Sequence, residues 1–344
     1  METSTSDDQS TNHNEAINDG RPAGLTVTER NERYFLTQVV QAVLKPLKPR
    51  LMKPKKGSDE KTRLTATKRA RRYCDVRESE VEGVWTYDIT TKTSTERKGG
   101  ARAGYKRRIL YFGGGGWQMP PSEHHWAFCA ELVRRLPDTR VTIISYPLAP
   151  KHPVSVAFPQ IERVYKKLLM ESTKAGERVI VAGDSSGGNI ALCVVTWTLR
   201  VQERDVANPP VAILAMSPTT DLRHEMKEIK KADRFDPIHT HGCIHETAKT
   251  WCPDWSFEDP RVSPIQADLT YLVRHGVKVH GLTGSYDVLE PEAIAFRNKC
   301  KENGVTGEWL SWHGQMHCFP LTFRYGLKAS KEALDWIVGV LEKC

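Results

Sequence analysis

Short apolar stretches alternate with amphipathic ones along residues 81–344, and this alternation limits the fold more than any other feature of the chain. Strand followed by helix, repeated, is typical of a mostly parallel sheet with helices on both faces. The predicted strands are Val84–Ile89, Arg108–Phe112, Val141–Tyr146, Val179–Ala182, Val211–Met216, Val277–Leu282 and Glu308–Trp312. The predicted helices are Trp126–Leu136, Ile161–Met170, Asn189–Arg200, Glu292–Glu302 and Ser330–Leu341. The sequence therefore predicts an α/β protein.

Two segments interrupt this alternation. Thr28–Met52 has apolar residues at helical spacing, and Arg223–Pro260 is too long for an ordinary connecting loop. Insertions of this size over an open sheet commonly form lids, so we predict that both segments cap its carboxyl edge. The predicted organisation is a disordered tail (1–26), N-terminal cap helices with a basic connector (27–80), and a catalytic domain (81–344) with its lid at about 223–260.

The net charge of +8 is concentrated in two stretches, Lys45–Lys56 and Arg63–Arg72. The simpler interpretation is a solvated connector interrupted by prolines, and the alternative is peripheral contact with an anionic membrane. No zinc-finger, helix-turn-helix or RNA-binding aromatic pattern accompanies these residues. We therefore expect no nucleic acid among the partners of this protein.

The remaining composition bears on location. No stretch approaches the run of about 18 apolar residues that a membrane span needs. The start of the chain is polar and acidic, unlike a signal peptide. The eight cysteines include no C-x-x-C pair, which favours free thiols in a reducing compartment. We expect a cytoplasmic protein, and the sequence leaves homodimer formation open.

A G-x-S-x-G pattern, Gly183-Asp184-Ser185-Ser186-Gly187, joins an apolar predicted strand to an apolar predicted helix. In this context the pattern is typical of a sharp turn that presents a serine nucleophile at the positive end of the following helix. The alternative is a serine that only caps the helix within a glycine-rich turn. The strand–turn–helix context favours Ser185 as a nucleophile.

A serine nucleophile needs a histidine base that a carboxylate orients. In folds with this turn, the acid and then the histidine follow the serine in the chain, each after a later strand. Asp287 and His317 occupy such positions, although Asp287 could also cap the helix that follows it. His313 competes with His317, but it comes directly at the strand end and has less reach, so we favour His317 as the base.

Four glycines at 113–116 follow another apolar predicted strand and precede Trp117. A flexible linker would normally have polar flanks, whereas glycine after a buried strand lets backbone N–H groups approach a ligand closely. An acyl-transfer site stabilises its oxyanion with two or three such N–H groups. One belongs to the residue after the nucleophile, here Ser186, and the others belong to the loop that holds these glycines.

Several further motifs fit one known family. The chain contains Gly114-Gly115-Gly116-Trp117, Ser145-Tyr146-Pro147-Leu148-Ala149-Pro150-Lys151-His152-Pro153, Ser217-Pro218-Thr219-Thr220-Asp221-Leu222, Asp259-Pro260-Arg261-Val262-Ser263-Pro264, Asp287-Val288-Leu289 with Glu292, and Met316-His317-Cys318-Phe319. Over roughly residues 81–342 it resembles the hormone-sensitive-lipase branch of the α/β-hydrolase fold. Within that branch it is most similar to fungal members of the steryl acetyl hydrolase and secondary-metabolite esterase types.

This resemblance implies the site residues. The triad would be Ser185, Asp287 and His317, and the oxyanion hole would be formed by Gly115, Gly116 and Ser186. Gly114, Trp117 and His245 are predicted near the substrate pocket. The resemblance implies neither a metal nor an organic cofactor.

Two features of the sequence bear on this assignment. Gly113 stands where the family has a histidine that supports the oxyanion loop from behind, so we expect a looser loop in this chain. The histidines and cysteine at His239, His241, Cys243 and His245 could offer metal ligands, but they lack a second ligand cluster at structural-site spacing. We interpret them as polar lid residues, one or two of which face substrate.

The expected activity is hydrolysis of a carboxylic ester with a short or medium acyl group on a hydrophobic small molecule. One alternative is acyl transfer, elimination or cyclisation at the same site. The other is a receptor that keeps the pocket with little catalysis, as in the plant hormone receptors of the same branch, which lost the triad histidine. The presence of His317 with Ser185 and Asp287 argues against the receptor.

Overall fold

The computed structural model describes residues 24–48, 63–92, 104–202 and 208–344. Their strands form one nine-stranded sheet, in the order β1-β9-β8-β7-β6-β4-β5-β3-β2. The strands are β1 Leu25–Arg30, β2 Cys74–Val81, β3 Val84–Thr91, β4 Arg107–Phe112, β5 Thr139–Ser145, β6 Arg178–Asp184, β7 Ala212–Met216, β8 Lys278–Tyr286 and β9 Gly307–Met316. All seven predicted strands are present within these bounds or within a few residues of them.

The helices of the described residues lie on both faces of the sheet or above its carboxyl edge. They are α1 Phe35–Leu44, α2 Lys68–Tyr73, α3 Glu123–Arg135, α4 Val154–Lys174, α5 Ser186–Gln202, α6 Lys227–Ala232, α7 His241–Trp251, α8 Thr270–Arg274, α9 Glu290–Glu302 and α10 Lys328–Glu342. Short 3₁₀ turns occupy Lys45–Leu47, Pro264–Gln266 and Phe319–Tyr325. None of these helices is long and apolar enough to cross a membrane.

The sheet is mostly parallel, as the alternation predicts. Strands β1, β9, β8, β7, β6, β4 and β5 pair in parallel, while β3 pairs antiparallel with β5 and with β2. Every residue of β4 and β7 is buried, because a large apolar cluster covers each face of the sheet. The predicted α/β class is confirmed.

Two edge strands correct the predicted domain boundaries. The predicted tail ran to residue 26 and the predicted catalytic domain began at 81, yet β1 and β2 extend the sheet beyond both limits. Both strands are rich in polar residues and each has one fully buried side chain, Leu25 in β1 and Cys74 in β2. An edge strand that buries so little carries almost no apolar signal. Residues 1–23 of the predicted tail lie outside the described part.

The inserted segment after β7 is helical. It reaches toward the loop after β8 that carries the predicted acid Asp287, called the acid loop below. Its helices α6 and α7 contribute Ile229 and Ile244 to a small apolar cluster with Val288 and Leu289. The N-terminal segment also contacts it, since Lys48 Nζ lies 2.7 Å from Asp233 Oδ1. The same segment reaches β9, where Gln41 Nε2 donates to the carbonyl oxygen of Gly314 at 2.8 Å.

Asn189, in the first turn of α5, connects two loops at the sheet's carboxyl edge. Its Nδ2 donates to the carbonyl oxygens of Thr219 at 3.0 Å and Val262 at 2.7 Å. All three residues are buried. Unpaired polar groups in such a place are costly, so this amide fixes the loops relative to the nucleophile turn.

We predict that Asn189→Ala lowers the free energy of unfolding by about 2–3 kcal/mol, because two buried carbonyl groups lose their donor. Urea unfolding measures the change. The matched control is Asn298→Ala on the exposed face of α9, which should change stability by less than about 0.5 kcal/mol. Equal losses in the two variants would contradict this account of Asn189.

Candidate active site

Ser185 stands on a sharp turn between β6 and α5. Its φ angle is 53°, in the left-handed region that non-glycine residues rarely adopt. The turn needs glycine on either side of the serine: a Cβ at Gly183 would overlap the backbone of Gly187, and a Cβ at Gly187 would overlap the carbonyl of Phe112. The G-x-S-x-G pattern thus folds into the strained strand-to-helix turn that its context predicted.

Asp287 and His317 meet beyond the carboxyl ends of β8 and β9. His317 Nδ1 lies 2.8 Å from Asp287 Oδ2, and both side chains are buried. Because β6, β7, β8 and β9 are parallel neighbours, their carboxyl ends lie at the same edge as Ser185. The fold therefore brings the three predicted triad residues to one side of the sheet.

The environment of His317 favours its charged form. Burial opposes the charge, but the charge and hydrogen bond of Asp287 outweigh burial and, with Cys318, raise the pKa of His317 well above 6.5. This arrangement suits an imidazole that must hold a proton taken from a serine. The described contacts include no hydrogen bond from Ser185 Oγ to His317, and such bonds often tighten only when substrate binds.

The competing histidine has a different environment. His313 lies within β9, is exposed, and places Nδ1 3.1 Å from Ser285 Oγ. The strand continues three residues beyond His313, to Met316, which leaves His317 as the first residue of the loop. Asp287 therefore pairs with His317 and not with His313, in agreement with the preference for the histidine that lies in the loop.

A small cavity opens beside Ser185. Its lining residues are Gly116, Trp117, Ser185, Ser186, Thr219, His224, His239, Ile244, Thr247 and Leu289. Four segments contribute to this wall: the glycine loop after β4, the turn that carries Ser185, helix α7 of the inserted segment, and the loop after β8 that carries Asp287. The nucleophile, one predicted oxyanion glycine, Ser186 and Trp117 thus share one cavity.

The oxyanion loop is held by a buried carboxylate. Asp184 Oδ1 accepts from Gly114 N at 3.1 Å and from Tyr111 OH at 2.6 Å, while its Oδ2 lies 3.1 Å from His125 Nε2. Burial alone would raise the pKa of Asp184, but His125 and these donors hold it below 3.8. The residue next to the nucleophile therefore also positions the loop that faces it.

These contacts bear on the loop that Gly113 was expected to loosen. The carbonyl oxygen of Gly113 accepts from Tyr146 OH at 2.9 Å. The carbonyl of Gly115 accepts from the backbone N–H groups of Gln118 and Met119, both at 3.1 Å, which closes a turn. These hydrogen bonds hold the loop in place without a histidine at position 113. That the loop is looser than in the family remains a prediction.

Two of the three residues predicted near the substrate pocket, Gly114 and His245, are not among the residues that line the cavity. Gly114 faces Asp184, and His245 packs edge-on to Phe257 with ring centroids 6.4 Å apart. Ile244 and Thr247 line the cavity instead, because residues three apart share one face of a helix and His245 lies on another. The sequence thus predicted that this helix contributes to the pocket, but it did not predict which of its faces lines the cavity.

His239 is one of the lid residues of which one or two were expected to face substrate. The ring of His239 stands edge-on to that of His317, with centroids 4.3 Å apart, and His239 also lines the cavity. Asp236 Oδ1 accepts from the backbone N–H of His239 at 2.9 Å, and its Oδ2 accepts from that of Val288 at 2.9 Å. Asp236 thereby joins the lid to the acid loop.

The candidate metal ligands of the lid do not gather with one another in the described residues. His239 instead lies with Asp287 and His317, with one ligand atom from each within 4.8 Å of the others. Asp287 and His317 already share a hydrogen bond. A metal at this point would have to replace that bond, so the arrangement favours the triad.

Comparison with known proteins identifies the family. The family model described as alpha/beta hydrolase fold matches residues 109–321, more than half of the chain. An esterase of Acinetobacter venetianus is 29% identical over 235 residues, 68% of this chain and 74% of its own length. The esterase LipU of Mycobacterium tuberculosis is 28% identical over 222 residues, which are 63% of this chain and 71% of that protein.

The fold has close counterparts among solved structures. A hormone-sensitive lipase from a metagenome library superimposes with a TM-score of 0.71 at 21% identity, over 88% of this chain and 97% of that one. Its likeness concerns the fold, and the family match carries the assignment. The chain belongs to the alpha/beta-hydrolase fold family, and it resembles the hormone-sensitive-lipase-like esterases within it, as its motifs predicted.

Proposed function

We propose that the protein hydrolyses carboxylic esters through a triad of Ser185, His317 and Asp287. The observation that carries the proposal is the 2.8 Å contact between His317 and Asp287, at the same sheet edge as the strained turn of Ser185. Two related proteins, the esterase of Acinetobacter venetianus and the esterase LipU of Mycobacterium tuberculosis, support the same reaction.

In this mechanism, His317 takes the proton of Ser185 as the serine oxygen attacks the ester carbonyl. Asp287 holds the imidazole so that its other nitrogen faces the serine, and it stabilises the imidazolium that forms. His317 then protonates the leaving alcohol. Water, activated by His317, finally releases the acid from Ser185.

The oxyanion of each tetrahedral intermediate would be bound by the backbone N–H groups of Gly115, Gly116 and Ser186. Gly116 and Ser186 line the same cavity as Ser185. A Cβ at Gly116 would lie 2.7 Å from Thr247 Cγ2, so the loop and the lid leave no room for a side chain there. Losing one such donor costs about 10²–10³ in rate.

The substrate would be a small-molecule ester with a short or medium acyl group on a hydrophobic body. The space in the cavity beside Ser185 is small, which limits how much of the substrate it encloses. Ile244 and Leu289 supply apolar wall near the nucleophile, while Trp117 adds a large aromatic surface. These contacts favour compact acyl groups over long chains.

The first prediction concerns turnover. The protein should hydrolyse p-nitrophenyl acetate and butyrate faster than octanoate and laurate, because the enclosed space is small. Ser185→Ala should lose at least about 10³-fold in kcat/KM, since the nucleophile is gone. Release of p-nitrophenol, measured with each purified protein, gives both results. Equal turnover in the two proteins would contradict the proposal.

Other outcomes would favour the alternatives. Incorporation of labelled oxygen from water into the released acid separates hydrolysis from acyl transfer, elimination or cyclisation. Failure to turn over any ester while a fluorophosphonate still labels Ser185 would point to a specialised substrate. Absence of both turnover and labelling would favour a receptor.

The second prediction concerns pH. His317 must be neutral to accept a proton, and Asp287 raises its pKa, so kcat/KM should rise with pH through that raised pKa. Asp287→Asn removes the charge that raises the pKa and leaves the burial that lowers it. The rise of kcat/KM with pH, the acid limb of the profile, should therefore occur at lower pH in Asp287→Asn. In the same variant kcat should fall by about 10⁴-fold.

A control separates this limb from a neighbouring carboxyl group. Burial, with the charge of Asp287, raises the pKa of Glu290 to about 7. Glu290→Gln should keep the acid limb of the pH profile if His317 is responsible for it. Loss of the limb in Glu290→Gln would assign it to Glu290 and contradict the role of His317.

We also propose that the N-terminal segment contacts anionic membrane surfaces. The observation that favours it is the outer face of α1 and the turn after it, where Phe35, Val39, Val43 and Leu47 are each at least 40% exposed at a spacing of four residues. An apolar helical face beside basic residues is typical of interfacial helices. The basic residues from 49 to 62 lie outside the described part of the chain.

The third prediction tests this contact by sedimentation with lipid vesicles. Wild-type protein should bind phosphatidylserine-containing vesicles more tightly than phosphatidylcholine vesicles. Phe35→Ser/Val39→Ser should weaken that binding about tenfold or more, because the apolar face is interrupted. The control, Val156→Ser/Val273→Ser, alters two exposed valines elsewhere and should bind as the wild type does. Unchanged binding by the Phe35/Val39 variant would contradict the proposal.

A further inference from the structure

The wall of the cavity beside Ser185 is mostly apolar, with a few polar side chains and no fixed charge among its described lining residues. Its described lining includes Thr219, His224, His239 and Thr247, and it includes no aspartate, glutamate, lysine or arginine. A charged group would lose its hydration in such a cavity without gaining a partner of opposite charge. The part of the substrate that occupies it should therefore be neutral and able to form hydrogen bonds.

Three buried polar atoms in this wall have no hydrogen-bond partner among the described residues: Ser186 Oγ, His239 Nδ1 and Trp117 Nε1, of which the indole nitrogen can only donate. Trp117 is 2% exposed, and its Nε1 has no hydrogen-bond partner among the described residues. A buried donor without a partner destabilises the folded protein, because it has lost its hydrogen bonds to water without replacing them. Such groups are rare in native proteins and usually serve a ligand, a water molecule or a catalytic role.

The backbone of the same residue is strained. Trp117 has a φ of 56°, a conformation that is unusual for a bulky side chain. Two contacts hold it there: its carbonyl accepts from Ala149 N at 2.8 Å, and its ring stacks on that of Trp251 with centroids 5.6 Å apart. Strain that the surroundings enforce tends to mark functional positions. Strain and an unused donor thus occur together, one residue beyond the oxyanion glycines.

The proposal that follows rests on the esterase function proposed above. We propose that Trp117 is a specificity residue whose Nε1–H donates a hydrogen bond to a neutral oxygen of the substrate. The favoured substrates are then esters that carry a second oxygen, as an ether, a ketone or another ester, close to the reacting carbonyl. Plain alkyl esters would be poorer substrates of the same size.

The physical reason is the unpaired donor itself. In the free protein, Trp117 Nε1 is buried and has no hydrogen-bond partner among the described residues. A ligand group that accepts a hydrogen bond from such a donor gains affinity over one that leaves it unpaired. An alkyl chain leaves the indole N–H unpaired, whereas an ether or carbonyl oxygen accepts a hydrogen bond from it.

Two pairs of esters of matched shape test the idea on either side of the scissile bond. On the acyl side, p-nitrophenyl methoxyacetate is compared with p-nitrophenyl butyrate. On the alcohol side, 2-methoxyethyl acetate is compared with butyl acetate. Each kcat/KM is divided by the rate of hydroxide hydrolysis of the same ester, which removes the difference in intrinsic reactivity.

The expected result is a corrected preference of about tenfold for the methoxy member of at least one pair, equivalent to one good hydrogen bond. Trp117→Phe keeps an aromatic ring and lacks the N–H, so its preference should fall toward one. The control is Trp251→Phe: this tryptophan is 1% exposed, stacks on Trp117 and also has an unpartnered Nε1, but does not line the cavity. It should keep the preference. The same preference in wild type and Trp117→Phe would overturn the proposal.

A binding experiment decides the point without turnover or a Trp117 variant. In Ser185→Ala labelled with ¹⁵N, 2-methoxyethyl acetate or p-nitrophenyl methoxyacetate should shift the Trp117 indole proton downfield more than its alkyl partner does. The Trp251 indole resonance should stay in place. Equal shifts for both members of each pair would overturn the proposal. If wild-type protein hydrolyses no ester and resists fluorophosphonate, the esterase function fails, while these shifts still decide the oxygen contact.

Discussion

The contact between His317 and Asp287 depends on the parallel register of β8 and β9, and the proposed site depends on that contact in turn. Parallel strands deliver their carboxyl ends to one edge, so residues far apart in the chain come together there. Ser185 reaches the same edge from β6, through a turn that only glycine neighbours permit. The position of the proposed site thus follows from the order of the strands and from two close backbone contacts, Gly183 with Gly187 and Gly187 with Phe112.

Around this contact, buried carboxylates fix the loops. Asp184 holds the oxyanion loop through Gly114, and Asp236 joins the lid to the acid loop through Val288. Glu292 accepts from Thr220 N at 3.0 Å and lies 2.8 Å from His224 Nδ1, a residue of the cavity wall. Each carboxylate is buried and paired, which makes it costly to displace. The site is therefore positioned by buried, hydrogen-bonded carboxyl groups that do not themselves take part in the proposed reaction.

The sequence predicted the sheet, and it predicted the positions of Asp287 and His317 after two of its strands, because both rest on local patterns. Strands β8 and β9 each contain a short apolar run, and Asp287 and His317 come directly after the ends of these two strands. The edge strand β1 was missed because it is mostly polar. Its pairing with β9 is a long-range contact that no local pattern carries.

The lid shows where sequence reasoning ends. The length of its segment predicted an insertion, but its packing on the acid loop decides which residues face the cavity. His245 was expected there, whereas Thr247 lines it, together with His239, one of the lid residues of which one or two were expected to face substrate. The partnership of Asp184 with His125 likewise joins residues of two different elements. Orientation of this kind follows from tertiary packing, which one sequence does not display.

The most direct test of the central claim is the rate at which a fluorophosphonate labels Ser185, followed by peptide mass spectrometry in two histidine variants. If His317 activates the serine, His317→Ala should label about 10³-fold more slowly than wild type. His313→Ala should label at the wild-type rate, since His313 bonds to Ser285 and not to the acid. Rapid labelling in His317→Ala, or loss of labelling in His313→Ala, would contradict the account.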